Sequence, residues 1–361
     1  PNPIYLQVGD TQLALMKRLG RALRDNTAKP ITLVFVTSGS CSNIAAIYTR
    51  IPITTNLQYV PSIAEDAAWD PKTSPTLTCA PPVAGVVPDI ANSALFNSAC
   101  TSDPPPATVH LTQGPAQAYV LAVPTASSQT AITLEEAYLV FGFGMAGMIA
   151  PWTDEAQLFI RTVTKSTLLA WAANLGVPAD RWKGVRLDGS PMVVSGIATG
   201  TPAALGILGA EVYDANRATM KALAYRAKGQ YAAYYPDSSA SSRDKKNVRD
   251  GHYTVWSPTI WMDTVDGGGP VKPDARYVID LIAGKTVTPA PSFPVDGQGK
   301  PVTPIDLVAA VGLVPDCAMR VNRAFEGGPL SRYRPAESCT CKFESVVDTS
   351  TCATCTTTCA T

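Results

Sequence analysis

The start of the chain alternates twice between a short strand-like run and a helical apolar spacing, which limits the possible folds more than any other feature. "PIYLQVGD" (3–10) reads as a strand running into a turn, and the next segment, 11–26, places Leu13, Leu15, Met16, Leu19 and Leu23 at helical intervals. "ITLVFV" (31–36) is a second strand, "TSGSCSN" a Ser/Gly turn and "IAAIYTRI" a short helix. Strands alternating with helices predict an α/β fold with a parallel sheet, its strand-to-helix turns gathered at the strands' carboxyl ends.

Beyond Ile53 the pattern loosens. Residues 53–115 are loop-rich, and Cys79 with Cys100 is the first candidate for a disulfide there. "AYVLAVP" (118–124) predicts a strand, "TLEEAYLVFG" (133–142) a helix with an acidic first turn, and "DEAQLFIRT" a further short helix or strand. A helix ending at Leu175 follows, and "ANRATMKALAY" (215–225) also reads as a helix. Residues 236–252 are polar and expected to be exposed, "YTVWSPTIWM" (253–262) is strand-like, and "PIDLVAAVGLV" (304–314) reads as the final helix. The apolar run Ala137–Trp152 falls short of the roughly 20 residues a membrane-spanning helix needs, so it is expected to be a buried element.

At 361 residues the chain is expected to hold about two globular units. Lys+Arg and Asp+Glu both number 29, so no general field gathers nucleic acid, and any anion recognition must be local. The cysteines, Cys41, Cys79, Cys100, Cys317, Cys339, Cys341, Cys352, Cys355 and Cys359, lie mostly in loop-like segments, which predicts disulfides in an extracytoplasmic compartment. Their odd number leaves one thiol free or paired outside the chain. Pro1 cannot be an initiator, so a targeting segment is expected to have been removed. The spacing of the last five cysteines has a faint zinc-site character, but disulfides are the favoured reading in an exported chain. The best-marked hydrolase, nucleotide-loop and zinc-protease motifs are absent, and His110 and His252 read as structural. No catalytic group or cofactor is expected.

The order of segments resembles the periplasmic phosphate-binding proteins that serve ABC importers. The resemblance runs over residues 4–335 and is carried by "TLEEAYLVFG", "PWTDEAQLFIR" with the Ser/Thr loop that follows, and "ALGIL", with "VTSGSCSN" and "VPDIANSALF" upstream. It implies a two-lobed periplasmic-binding fold of type 2: lobe one from 1–116 and 256–337, lobe two from 117–255, then a Cys/Thr-rich tail, 338–361. It also implies a tetrahedral oxyanion held by helix N-termini, hydroxyls and one arginine, with an importer's membrane component as partner. Such a grip works because the first turn of a helix carries unpaired N–H groups and partial positive charge. The candidate ligand-binding residues are Asp10, Thr11, Ser38, Gly39, Ser40, Arg161, Lys165, Ser166 and Thr167.

Three positions depart from the family pattern. Lys165 stands where a small residue is usual, Asp10 stands beside Thr11, and Ala94 takes the place of the aspartate that accepts the proton of hydrogen phosphate. Two readings stay open. In one, Asp10 replaces the lost acceptor and Lys165 adds charge, giving a rebuilt site. In the other, Asp10 pairs with Lys165 or Arg161, so that an internal carboxylate takes the anion's place; this reading is slightly preferred. Beside them stand plainer uses: Asp10 as a helix N-cap, Ser38–Ser40 as an ordinary turn and Lys165 facing solvent or a carboxylate. The function expected is therefore phosphate or oxyanion binding, weakened or lost. The alternative is a self-assembling surface or filament protein on the same scaffold, forming homo-oligomers, a reading to which the low charged fraction contributes.

Overall fold

A computed structural model describes residues 2–295, 299 and 301–347. The chain divides into two compact units, one built from residues up to Pro115 and Pro258–Val311, the other from Ala116–Ser257 and from Gly312 onward. Residues 312–337, expected with the first unit, thus fall with the second, where Ala116 and Val314 exchange backbone hydrogen bonds of 2.7 and 3.0 Å.

In the first unit β1 (Asn2–Gly9) leads through one helical turn into α1 (Leu13–Arg24), then β2 (Ile31–Ser38) and α2 (Ser40–Tyr48). Leu15, Met16, Leu19 and Leu23 form the buried stripe of α1, each leucine contributing roughly 2 kcal/mol relative to exposure. β1 and β2 pair in parallel from Asn2 opposite Ile31 to Gly9 opposite Ser38, so both strands end level. β3 (Leu57–Tyr59), β4 (Leu77–Cys79) and β5 (Ile90–Ser93) complete the order β4-β3-β2-β1-β5, with β5 parallel to β1. Cys100 is bonded to Cys41 at a Cα separation of 5.1 Å, not to Cys79. Cys41 lies in the first turn of α2, whereas Cys79 sits on the exposed outer strand and carries a free thiol.

The second unit starts within β6 (Val109–Pro124) and continues through β7 (Ala131–Thr133), α3 (Leu134–Phe143), β8 (Leu158–Arg161), α4 (Ser166–Leu175), β9 (Val185–Leu187), α5 (Ser190–Thr199), β10 (Leu205–Gly209) and α6 (Ala210–Ala215). A capping box fixes the start of α3: Thr133 accepts from the Glu136 backbone, and Glu136 accepts from Thr133. β10 runs antiparallel to β6 and parallel to β8, which pairs in parallel with β9. The helix expected over 215–225 is absent. β11 (Met220–Ala222) pairs antiparallel with β6 and β12 (Ala224–Arg226) runs beside β7, so sheet pairing overrides the helical propensity of the Ala/Met/Lys run.

Two further expectations change. The apolar run 137–152 buries Ala137, Val140, Phe141 and Trp152 but exposes Tyr138, Phe143, Met145 and Met148. Among the described residues no helix is long and apolar enough to cross a membrane. The polar stretch 236–252, expected on the surface, buries Asp237, Asp244, Lys245 and Arg249 around the short helix α7 (Lys246–Arg249). The Lys245 ammonium lies 2.7 Å from Asp214 and 3.0 Å from Asp237, and Arg217 bridges the same two carboxylates. Burial opposes the charge on Lys245, but the paired carboxylates outweigh it and hold the lysine above its ordinary value.

β13 (Trp256–Asp266) returns the chain and pairs antiparallel with β5. α8 (Pro273–Ile282) and α9 (Pro304–Ala309) follow in the first unit. α9 is not the last helix: α10 (Thr340–Val347) is fastened to the second unit by the Cys317–Cys339 disulfide, by buried Phe343 beneath the Arg249 guanidinium, and by an Arg249–Glu344 ion pair of 2.8 Å. Cys341 lies half-buried on this helix, whereas Cys352, Cys355 and Cys359 lie outside the described residues.

Native, unreduced protein treated with a thiol-alkylating reagent is expected to be labelled at Cys79, and peptide mapping to recover Cys41 linked to Cys100; recovery of a Cys79–Cys100 peptide would contradict the structure. Asp244 gives a pH prediction. Burial disfavours its ionisation, yet hydrogen bonds from Ser238 and Lys246, with Arg249 nearby, hold its carboxyl below the usual aspartate value. A depressed folded value means that the unfolded chain binds more protons in the window, so stability falls as pH drops from ~4 through that depressed value. Urea midpoints measured from pH 6 to pH 3 are expected to fall less steeply in Asp244→Asn than in the wild type, and parallel curves would remove this role.

Candidate functional site

The candidate residues form two groups, one in each unit. In the first, the level ends of β1 and β2 place Asp10–Thr11 and Ser38–Ser40 at one sheet edge. Gly9, not Asp10, occupies the N-cap of the first helical turn, and Asp10 is that turn's opening residue. Gly39 is the N-cap of α2 in extended conformation, with no side chain capping the helix. Its first-turn N–H groups therefore lack intrahelical acceptors, as a ligand-holding N-terminus requires. Ser40, however, is buried, and its Oγ accepts the Ala94 N–H at 3.1 Å. Ala94 offers no side-chain proton acceptor there, and its backbone N–H is taken by Ser40.

In the second unit Arg161 closes β8 opposite Leu187 of β9. Its side chain is fully buried: Nε donates to the Leu187 carbonyl at 3.2 Å, Nη1 to Ser190 Oγ at 2.6 Å and Nη2 to the Asp188 carbonyl. A guanidinium offers five N–H donors in a fixed plane, and three of its bonds here serve the β9–α5 turn. Lys165 is the N-cap residue of α4, only 7% exposed, and its ammonium lies 3.3 Å from Asp188 Oδ1. Ser166 and Thr167 open the helix, and Thr167 Oγ1 is buried without a hydrogen-bond partner among the described residues. Leu168, Trp171 and Leu175 fix the helix against the core, and Gly176 ends it at φ 70°, a left-handed conformation that glycine adopts without strain.

The carboxylate beside Lys165 is thus Asp188, a residue outside the candidate set, and Ser190 was missed with it. The signal was present in the sequence. "LDGSP" after "GVR" is a turn opening a helix, with Pro191 in its first turn, and a helix starting one parallel strand over from Arg161 must bring its N-terminus to the same edge.

No family model and no curated protein matches the chain. Solved structures do. A putative phosphate ABC transporter substrate-binding protein from Clostridium perfringens, solved with bound phosphate, aligns with TM-score 0.56 and 14% identity over 87% of this chain and 99% of its own. An ABC-type phosphate transport receptor from Vibrio cholerae aligns with TM-score 0.51 and 12% identity over 87% of this chain and 100% of its own. At such identities the likeness speaks for architecture alone, and on it, with the mixed sheets and flanking helices above, the chain has the periplasmic-binding-protein fold.

Proposed function

We propose that this chain is an extracytoplasmic, non-enzymatic protein of the substrate-binding type whose grip on a bare oxyanion such as inorganic phosphate is weakened or lost. The observation that carries this reading is the state of its two cations. Arg161, which would supply the bidentate fork, is tied to Leu187, Asp188 and Ser190, and Lys165 faces the Asp188 carboxylate. An anion would have to draw Nη1 from the buried Ser190 hydroxyl, a bond to a charged donor worth roughly 1.5 to 3 kcal/mol, and displace the contacts to the more open Leu187 and Asp188. The disulfides and the likeness to phosphate-transport receptors support the compartment and the ligand class.

A second reading, association of copies at a cell surface, is favoured by one observation. Phe143, Met145 and Met148 are exposed together at the end of α3 beside Tyr138, whose ring centroid lies 5.7 Å from that of Phe143, and exposed apolar groups of this kind mark contact surfaces.

Calorimetric titration with phosphate, sulfate and arsenate is expected to give no saturable heat up to millimolar ligand, whereas a micromolar dissociation constant that disappears in Arg161→Ala would establish a working receptor. For the second reading, sedimentation at rising protein concentration is expected to show assemblies that Met145→Ser/Met148→Ser reduces; monodisperse monomers throughout would end it.

A further inference from the structure

The first unit holds buried oxygens that the chain leaves unsatisfied. Asn92 of β5 is fully buried, and its side-chain nitrogen is drawn to the carbonyls of Ser93 and Ile260, both at 3.4 Å, which turns Oδ1 the other way. Asn43 of α2, also fully buried, donates through Nδ2 to the Asn92 carbonyl at 2.8 Å. Among the described residues neither Oδ1 has a hydrogen-bond partner, and a buried acceptor left in this state calls for a donor. The Asn92 oxygen faces a defined space. A Cβ on Gly9 would lie 3.7 Å from it and 3.4 Å from Thr11 Oγ1, with no other atom within 4 Å outside the flanking residues. Ser38 lies opposite Gly9 in the neighbouring strand, so α2 opens beside this notch with first-turn N–H groups that no side chain caps.

A bare oxyanion would bring only acceptors to the Asn92 oxygen, and the first unit's candidate residues, Asp10, Thr11 and Ser38–Ser40, include no cation to hold its charge. An ammonium would bring donors but meet the positive end of α2. A hydroxyl answers both sides: its hydrogen donates to Asn92 Oδ1, and its oxygen accepts from an N–H group or from the Thr11 hydroxyl. We propose that the notch between Gly9, Thr11 and Asn92 receives a hydroxyl of a neutral polyhydroxylated ligand, a polyol or sugar, in place of phosphate. The inference rests on the weakened-grip reading above, because a grip whose cations are already engaged selects for an uncharged ligand.

The test titrates the full chain calorimetrically with glycerol, myo-inositol and D-glucose, and beside them with sodium phosphate and ammonium chloride. The wild type is expected to bind at least one of the three polyhydroxylated probes saturably. Gly9→Ala places its methyl at ordinary contact distance and at φ −64°, which alanine adopts freely, so its unfolding midpoint is expected to stay unchanged while affinity falls at least tenfold. Thr11→Val is expected to weaken the same probe. Silence toward all three probes and toward phosphate overturns this proposal and leaves the weakened-grip reading standing. Probe binding that survives Gly9→Ala, or saturable ammonium binding instead, also overturns it. Micromolar phosphate binding by the wild type would overturn the weakened-grip reading and, with it, this ligand class.

Discussion

Parallel strand pairing governs where chemistry can occur in each unit. Because β1 and β2 end level, the turns after Gly9 and Ser38 share one edge. Because β8 and β9 run in register from Phe159 to Arg161, the turns after Arg161 and Leu187 share another. Helices that start at such an edge point their uncapped N–H groups the same way. The arrangement creates positive potential whatever the side chains are, and the side chains then decide whether an ion from solution or a group from the chain itself answers it.

In the second unit the answer is internal. Arg161 and Lys165 carry the charge that an oxyanion grip requires, and each is met by an acceptor from the β9–α5 turn. The same unit treats its other buried charges similarly: Lys245 and Arg217 together face Asp214 and Asp237, leaving no net charge in that cluster. Removing one member of such a set leaves an uncompensated buried charge, a far larger cost than losing a surface pair. Unit two thus uses local neutrality both as a structural device near α7 and as the state of its candidate site near α4.

The alternation at the start of the chain was legible because period and turn chemistry agreed there, as at β1, α1, β2 and α2. The capping signature at Thr133–Glu136 was equally plain. Residues 215–225 misled because helix propensity is a local quantity, whereas the strands Met220–Ala222 and Ala224–Arg226 pair with segments about a hundred residues earlier. The stretch 236–252 misled for a related reason: its charges look solvated until Asp214 and Arg217, contributed by another segment, complete the cluster. Arg161 and Lys165 were identified as the loop's cations, but their acceptors at Leu187, Asp188 and Ser190 depend on which strand lies beside β8, and a single sequence does not state that order.

The fastening of α10 has a mechanical consequence. A pull on the chain beyond Val347 first meets a helix held by Phe343 and Glu344, which can peel away turn by turn; peeling stops at Cys339, where the covalent link passes the load sideways to Cys317 in the body of the second unit. Unravelling is confined to the residues that follow Cys339, and tension arriving from that side is borne by a bond rather than by packing.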